Sequence, residues 1–182
     1  QWNKTEQKLP LRADLELIAT AKETKELSSE ELNARIRKAF ERDDYAYQRE
    51  MGIENKYPRR ANGLHHILYQ CPCCNTEFKM YSEGTRLWCS ACGKAWQMSE
   101  LGELSAEEGE TEFSHIPDWF RWERENVRRE VREGTYYYED EVTVHTLPNA
   151  KRFYDQGRGR LVQSCEGTKL YCTAYGEEKK LE

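Results

Sequence analysis

Of the chain's 182 residues, 37% are hydrophobic and 34% charged, with a mean hydropathy of -1.00. That is little apolar material for one large core, and it points to small modules, ordered by an aromatic content of 12%. A net charge of -5 argues against a general polyanion binder. No apolar run of membrane-spanning length and no signal-peptide pattern is present, and four of the seven cysteines form two C-x-x-C pairs that suit a metal site in a reducing compartment, so the expected location is the cytoplasm.

In chain order, Leu15, Leu17 and Ala19 alternate within residues 13–20, which predicts a short strand with one buried face and no partner nearby. Ser28 and Glu31 form a capping-box pattern, with Leu27 able to staple onto Leu32. A helix should follow, with Leu32, Ile36, Ala39 and Phe40 on one face. Asp43 or Asp44 recaps the chain before Tyr45 and Tyr47, and Gly52 stops it. Residues 53–63 have no period and read as a linker. Residues 64–70 read as a strand leading into the first cysteines.

The informative stretch is Cys71-Pro72-Cys73-Cys74 followed by Cys89-Ser90-Ala91-Cys92. Two C-x-x-C turns can bring four thiolates onto one tetrahedral metal, and zinc is the ion such a set favours. The fourteen residues from Asn75 to Trp88 fall just short of the usual spacer of about 15. Glu83-Gly84 supplies a hairpin turn that brings the two loops together, as in a zinc ribbon. Asn75 and Gly93, directly after each pair, are residue types that tolerate a left-handed backbone. Cys73 competes with Cys74, but only Cys71 and Cys74 match the spacing of Cys89 and Cys92. A four-cysteine shell has no open position, so the zinc is expected to be structural.

His65 and His66 adjoin the site; as strand neighbours they would point to opposite faces and read as surface histidines. Cys165 and Cys172 read as ordinary half-buried thiols. Tyr69, Phe78, Tyr81, Trp88 and Trp96 could stack on nucleic-acid bases. Lys79, Arg86 and Lys94 are, however, offset by Glu77, Glu83 and Glu100, and a small core is the preferred role.

Residues 100–114 are strongly acidic and read as a solvated connection. Asp118, after Pro117, should cap a helix carrying Trp119, Trp122, Val127 and Val131 and ending at Gly134. Its five acids and five arginines make it a packing helix rather than a membrane-surface one. From Thr135 onward the period is two. The expected class is α+β: a zinc ribbon built of β-hairpins around a four-cysteine site, flanked by helices and a C-terminal antiparallel β segment. The expected segments are 1–26 (strand and tail of a preceding domain), 27–63 (helical segment and linker), 64–99 (ribbon), 100–134 (acidic linker and amphipathic helix) and 135–182 (a small, truncated β segment). A start at Gln1 without Met suggests a piece of a longer protein, and Leu181-Glu182 reads as a vector-derived tail.

The order of segments Arg12-Ala13-Asp14-Leu15-Glu16-Leu17, Leu27-Ser28-Ser29-Glu30-Glu31-Leu32-Asn33, Arg42-Asp43-Asp44-Tyr45, Gly63-Leu64-His65-His66-Ile67-Leu68-Tyr69-Gln70-Cys71-Pro72 and Gly109-Glu110-Thr111-Glu112-Phe113-Ser114-His115-Ile116-Pro117-Asp118-Trp119 resembles the C-terminal extension of bacterial 1-acyl-sn-glycerol-3-phosphate acyltransferases. The resemblance implies a parent that transfers an acyl group from an acyl carrier or coenzyme A to lysophosphatidic acid. It also implies a partner in the catalytic domain of the same parent chain, other protein contacts, and a peripheral membrane location through that parent only. The family's catalytic H-x4-D is lacking, since no Asp stands five positions after His65, His66, His115 or His145. Glu83-Gly84-Thr85-Arg86 mimics the family's phosphate-binding motif but reads here as a hairpin turn. No catalytic residue is assigned, and the chain is expected to be inactive alone. The alternatives are a nucleic-acid-binding ribbon protein and a thiol redox module using Cys71 and Cys74. The resemblance predicts that the coding sequence upstream of Gln1 encodes an H-x4-D domain; sequencing that shows none removes the acyltransferase reading.

Overall fold

The computed structural model describes residues 15–174 and 177–181, and the chain divides into two compact units, Gln1–Arg121 and Trp122–Glu182. Helices and antiparallel sheets make it an α+β protein. Ala13, Asp14 and Glu182, parts of the expected first strand and terminal tail, lie outside the described residues.

In the first unit, residues 15–20 are not a strand, and Leu15 and Leu17 are exposed. Alternation alone cannot make a strand where no neighbour offers a ladder. Helix α1 (Glu23–Glu26) is a single turn. Helix α2 (Ser29–Phe40) begins at the full capping box: Ser28 Oγ accepts from the Glu31 N–H at 3.3 Å, and Glu31 accepts from the Ser28 N–H at 2.9 Å. On its apolar face Leu32 and Ile36 are half-buried, while Ala39 and Phe40 are exposed. Asp43 caps helix α3 (Asp44–Glu50) by accepting from the Ala46 N–H at 2.9 Å, and Gly52 follows with φ +63°. Helix α3 is anchored in two ways. Asp43 Oδ2 meets His115 Nε2 at 2.6 Å, and the Tyr45 ring lies against Gly102, where a Cβ would stand 2.9 Å from Tyr45 Cδ1. Only glycine fits at that approach, and its φ of +81° agrees.

Residues 53–63 are irregular, as read, yet they are pinned to the rest of the unit. The Ala61 N–H donates to the Gly84 carbonyl, Arg60 Nε donates to the Met98 carbonyl, and Ala61 is fully buried. Residues 64–70 form a 3-10 turn (Leu64–His66) instead of the expected strand. Leu64 and Leu68, four apart and both fully buried, set a helical spacing that the short apolar run concealed.

Strands β1 (Met80–Glu83), β2 (Arg86–Cys89), β3 (Ala95–Met98) and β4 (Leu104–Ala106) form an antiparallel meander in that order. Glu83 pairs with Arg86 across a Gly84-Thr85 turn whose first residue has φ +62°, the position at which a two-residue hairpin of this kind needs glycine. Met80, Leu87, Cys89, Trp96, Met98 and Leu104 are buried on one face. Strand β4 corrects the reading of residues 100–114 as a solvated connection. Leu104 is buried, Arg86 forms two 2.8 Å bonds to the Glu107 carboxylate, and Lys94 Nζ lies 2.5 Å from Glu112 Oε1. Partners far apart in sequence convert an apparently repulsive run into the edge of a sheet.

Helix α4 (Ile116–Glu133) begins two residues before Asp118, so Asp118 lies in the first turn, paired with Arg121 at 2.6 Å, rather than at the cap. Proline fits the first turn, where its missing N–H costs nothing, and the helix can therefore start ahead of it. Trp119 is fully buried, edge-on to Trp96 with centroids 4.9 Å apart. Among the described residues no helix is long and apolar enough to cross a membrane.

In the second unit Gly134, with φ +71°, ends α4. Strands β5 (Tyr137–Thr146), β6 (Tyr154–Ser164), β7 (Gly167–Ala174) and β8 (Glu177–Leu181) form a second antiparallel meander, with a bulge between Thr143 and His145. Its core cluster is Val144 and Cys172 with Val142 and Leu170 packed against them. Gly159 fits beneath, where a Cβ would stand 2.8 Å from Val144 Cγ2. The alternate positions carry charges, with Arg160 to Glu139 at 3.0 Å, Arg158 to Glu141 at 3.2 Å, and Arg160 over the Tyr171 ring.

Asp43 is both the cap of α3 and the partner of His115. Burial pushes its carboxyl up, but the Ala46 N–H and His115 outweigh this and hold it below its ordinary value. A depressed folded pKa stabilises above the unfolded value of about 3.9 and is lost as pH falls through the folded one. Asp43→Ala should cost about 1 kcal/mol in urea unfolding at pH 7. The gap from the parent protein should narrow as the pH is lowered below about 4.

Candidate metal centre

Cys71, Cys74, Cys89 and Cys92 come together: one sulfur from each, all within 4.8 Å of one another. Two of the separations are 3.7 Å (Cys71 to Cys92) and 3.8 Å (Cys74 to Cys89). Sulfurs bound tetrahedrally at about 2.3 Å would stand about 3.8 Å apart, so this donor set fits a four-coordinate ion. All four are free thiols; the group that converges includes Cys74, while Cys73 is exposed and outside it.

Each C-x-x-C turn is built in the same way. The Cys71 carbonyl accepts from the Asn75 N–H at 2.8 Å, and the Cys71 N–H donates to the Thr76 carbonyl at 3.0 Å. In the second turn the Cys89 carbonyl accepts from the Gly93 N–H at 2.9 Å, and the Cys89 N–H donates to the Lys94 carbonyl at 2.9 Å. Asn75 and Gly93 take the left-handed backbone expected of them, at φ +57° and +81°. This curl aims the N–H groups of Cys73 and Cys74 at the Cys71 sulfur, and those of Ala91 and Cys92 at the Cys89 sulfur. Such donors stabilise a thiolate and serve a neutral thiol poorly.

The electrostatics separate the four cysteines. Burial pushes the Cys71 and Cys89 thiols up, against the pull of those N–H groups. Burial also pushes Cys74 up, but the Thr76 hydroxyl, 3.3 Å from its sulfur, and the Thr76 N–H outweigh it, together with the Cys92 and Cys71 thiols. Cys74 is brought down to about 6. A cation binding here displaces the remaining protons. The surroundings are dry on one side: Cys71 and Cys89 are fully buried with Leu64, Leu68, Leu87 and Trp96. Trp119 Nε1 donates to the Gln70 carbonyl at 3.0 Å, tying the start of α4 to the residue before Cys71.

The other candidates lie elsewhere. His65 and His66 do not point to opposite faces, because they sit in a 3-10 turn, and their rings are 4.1 Å apart. His65 Nδ1 lies 2.8 Å from Ser82 Oγ, which accepts from the Gly63 N–H and can therefore give its own proton to the ring. Burial, then His66, lowers the His65 pKa and favours that neutral ring. Cys165 is exposed and Cys172 buried, and neither joins the cluster. Of the five aromatics assigned to a small core, only Trp96 is buried. Phe78 and Tyr81 are exposed, with Phe78 stacked on Tyr69, and Tyr81 stacked on Trp88. Tyr81 and Trp88 face each other on the outer side of the sheet, a consequence of register that residue type could not show. The contributions of Thr76 and Gln70 had no signal in the sequence. The chain matches no protein-family model, no curated protein and no solved structure.

The geometry predicts that Cys73→Ser leaves cobalt(II) binding and its sulfur-to-metal absorption unchanged, whereas Cys74→Ser weakens binding and alters the band. Equal loss in both variants would contradict the assignment.

Proposed function

We propose that the first unit contains a zinc ribbon with a structural Zn2+ held by Cys71, Cys74, Cys89 and Cys92, and that the chain is a noncatalytic module acting through protein contacts. The reading rests on the two matching C-x-x-C turns, whose sulfurs all lie within 4.8 Å of one another, two of the separations being 3.7 and 3.8 Å; a shell of four cysteines has no further position for water or substrate. When bound, zinc supplies folding energy; the chain's own residues orient the sulfurs and bury two of them. The small apolar core beside the site explains why metal affinity, on the order of 10 to 16 kcal/mol in zinc-finger peptides, would matter to folding. Glu83-Gly84-Thr85-Arg86 serves as a hairpin turn with its Arg86 occupied by Glu107, so it offers no phosphate cradle. Attachment of this module to an acyltransferase is carried by the segment order alone.

The purified chain should contain about one zinc per molecule. A strong chelator, or Cys89→Ser, should abolish the β1–β4 sheet as followed by tryptophan fluorescence and amide exchange. Absence of zinc with reversible Cys71-Cys74 oxidation would favour the redox reading. Salt-dependent quenching of Trp88 by single-stranded RNA would favour the nucleic-acid reading.

A further inference from the structure

The four ligands are unequally protected. Cys71 and Cys89 are fully buried and each receives two backbone N–H groups, Cys74 is half-buried beside Thr76, and Cys92 is exposed. Cys92 also opens onto a surface depression of about 390 Å³ whose rim includes Arg86, Gly93, Lys94, Glu107 and Glu108. Gly93 contributes no side chain to shield the sulfur, and nothing lies within 4 Å of where its Cβ would be. The rim cations are already occupied, Arg86 by Glu107 and Lys94 by Glu112 and the Glu110 carbonyl. That leaves the Glu108 carboxylate and the excess of four thiolates over a divalent cation as the net negative charge facing an incoming reagent, which disfavours anions.

We propose that Cys92 is the modification site of this metal centre, at which small uncharged soft electrophiles attack and through which the metal is released. The inference rests on the zinc reading above. In the step, the Cys92 sulfur adds its electron pair to the β-carbon of an activated alkene. The carbon-carbon π bond breaks, the adjacent carbon takes a proton from solvent, and a neutral thioether replaces an anionic ligand. With one thiolate lost, the remaining three hold the cation less tightly. Cys71 and Cys89, out of reach in the folded protein, react only afterwards. Cys73 is exposed but outside the donor set, so its modification leaves the metal in place.

The test uses the full chain carrying Cys73→Ser, loaded with zinc and assayed for metal before labelling. Substoichiometric N-ethylmaleimide is followed by peptide mass spectrometry and by a chromogenic zinc chelator. The expected first adduct within the cluster is on Cys92, about tenfold or more ahead of Cys71 and Cys89, with zinc appearing in step with it. Iodoacetamide should outpace iodoacetate at Cys92 by a larger ratio than in the chelated, unfolded chain. First adducts on Cys74, Cys71 or Cys89, simultaneous labelling of all four, an unchanged reagent ratio, or a Cys92 adduct that retains zinc would overturn the proposal and leave the zinc reading standing. A chain that holds no zinc before labelling would overturn both.

Discussion

The convergence of four sulfurs within 4.8 Å is the constraint on which the first unit depends. Two short turns, separated by a hairpin, must deliver them to the same open end of one strand pair, opposite the Gly84-Thr85 turn. The register that pairs Met80 with Cys89 and Glu83 with Arg86 does this. A slip of one residue would turn Leu87 and Cys89 to the opposite face and take the second turn out of range. The hydrophobic layer follows the same alternation, so packing and the convergence of the four sulfurs select one register together. Trp96 and Trp119 close that layer, and the indole N–H of Trp119 reaches the carbonyl just ahead of the first cysteine.

Around this centre the chain uses charge where apolar residues are scarce. Within residues 100–114, Glu107 and Glu112 pair with Arg86 and Lys94 and Glu103 with Arg49, and the stretch adds a fourth strand. Asp43 and His115 hold α3, and Gln48 donates to the Glu100 carbonyl beside it. Exposed pairs of this kind contribute little each, but those at Lys94 and His115 are largely shielded and also meet backbone or ring neighbours, which favours a definite geometry. The second unit repeats the economy with a meander whose core is a thin layer around Val144 and Cys172.

Several features were legible because they depend on neighbours in sequence. The capping box at Ser28 and Glu31, the recap at Asp43, the left-handed positions at Asn75 and Gly93, and the stops at Gly52 and Gly134 are local rules with local physics. Misreadings arose where the deciding partner is distant. Residues 15–20 alternate but meet no second strand. Leu64 and Leu68 are buried beside a sheet that begins at Met80, and the acidic run takes counter-charges from Arg86 of β2 and from Lys94, just ahead of β3. Tyr81 and Phe78 looked like core residues because aromatics commonly are; strand register placed Tyr81 outside, and Phe78, ahead of β1, is exposed and stacks on Tyr69.

The sequence by itself narrowed the converging sulfurs to five cysteines, with C-x-x-C spacing favouring Cys74 over Cys73, and it determined where most helices start and stop. Tertiary structure alone decided that Cys73 stands outside, that Cys71 and Cys89 are sealed while Cys92 is open, and which aromatics face water. Accessibility is a property of everything packed around an atom, and no spacing within a single stretch of chain encodes it.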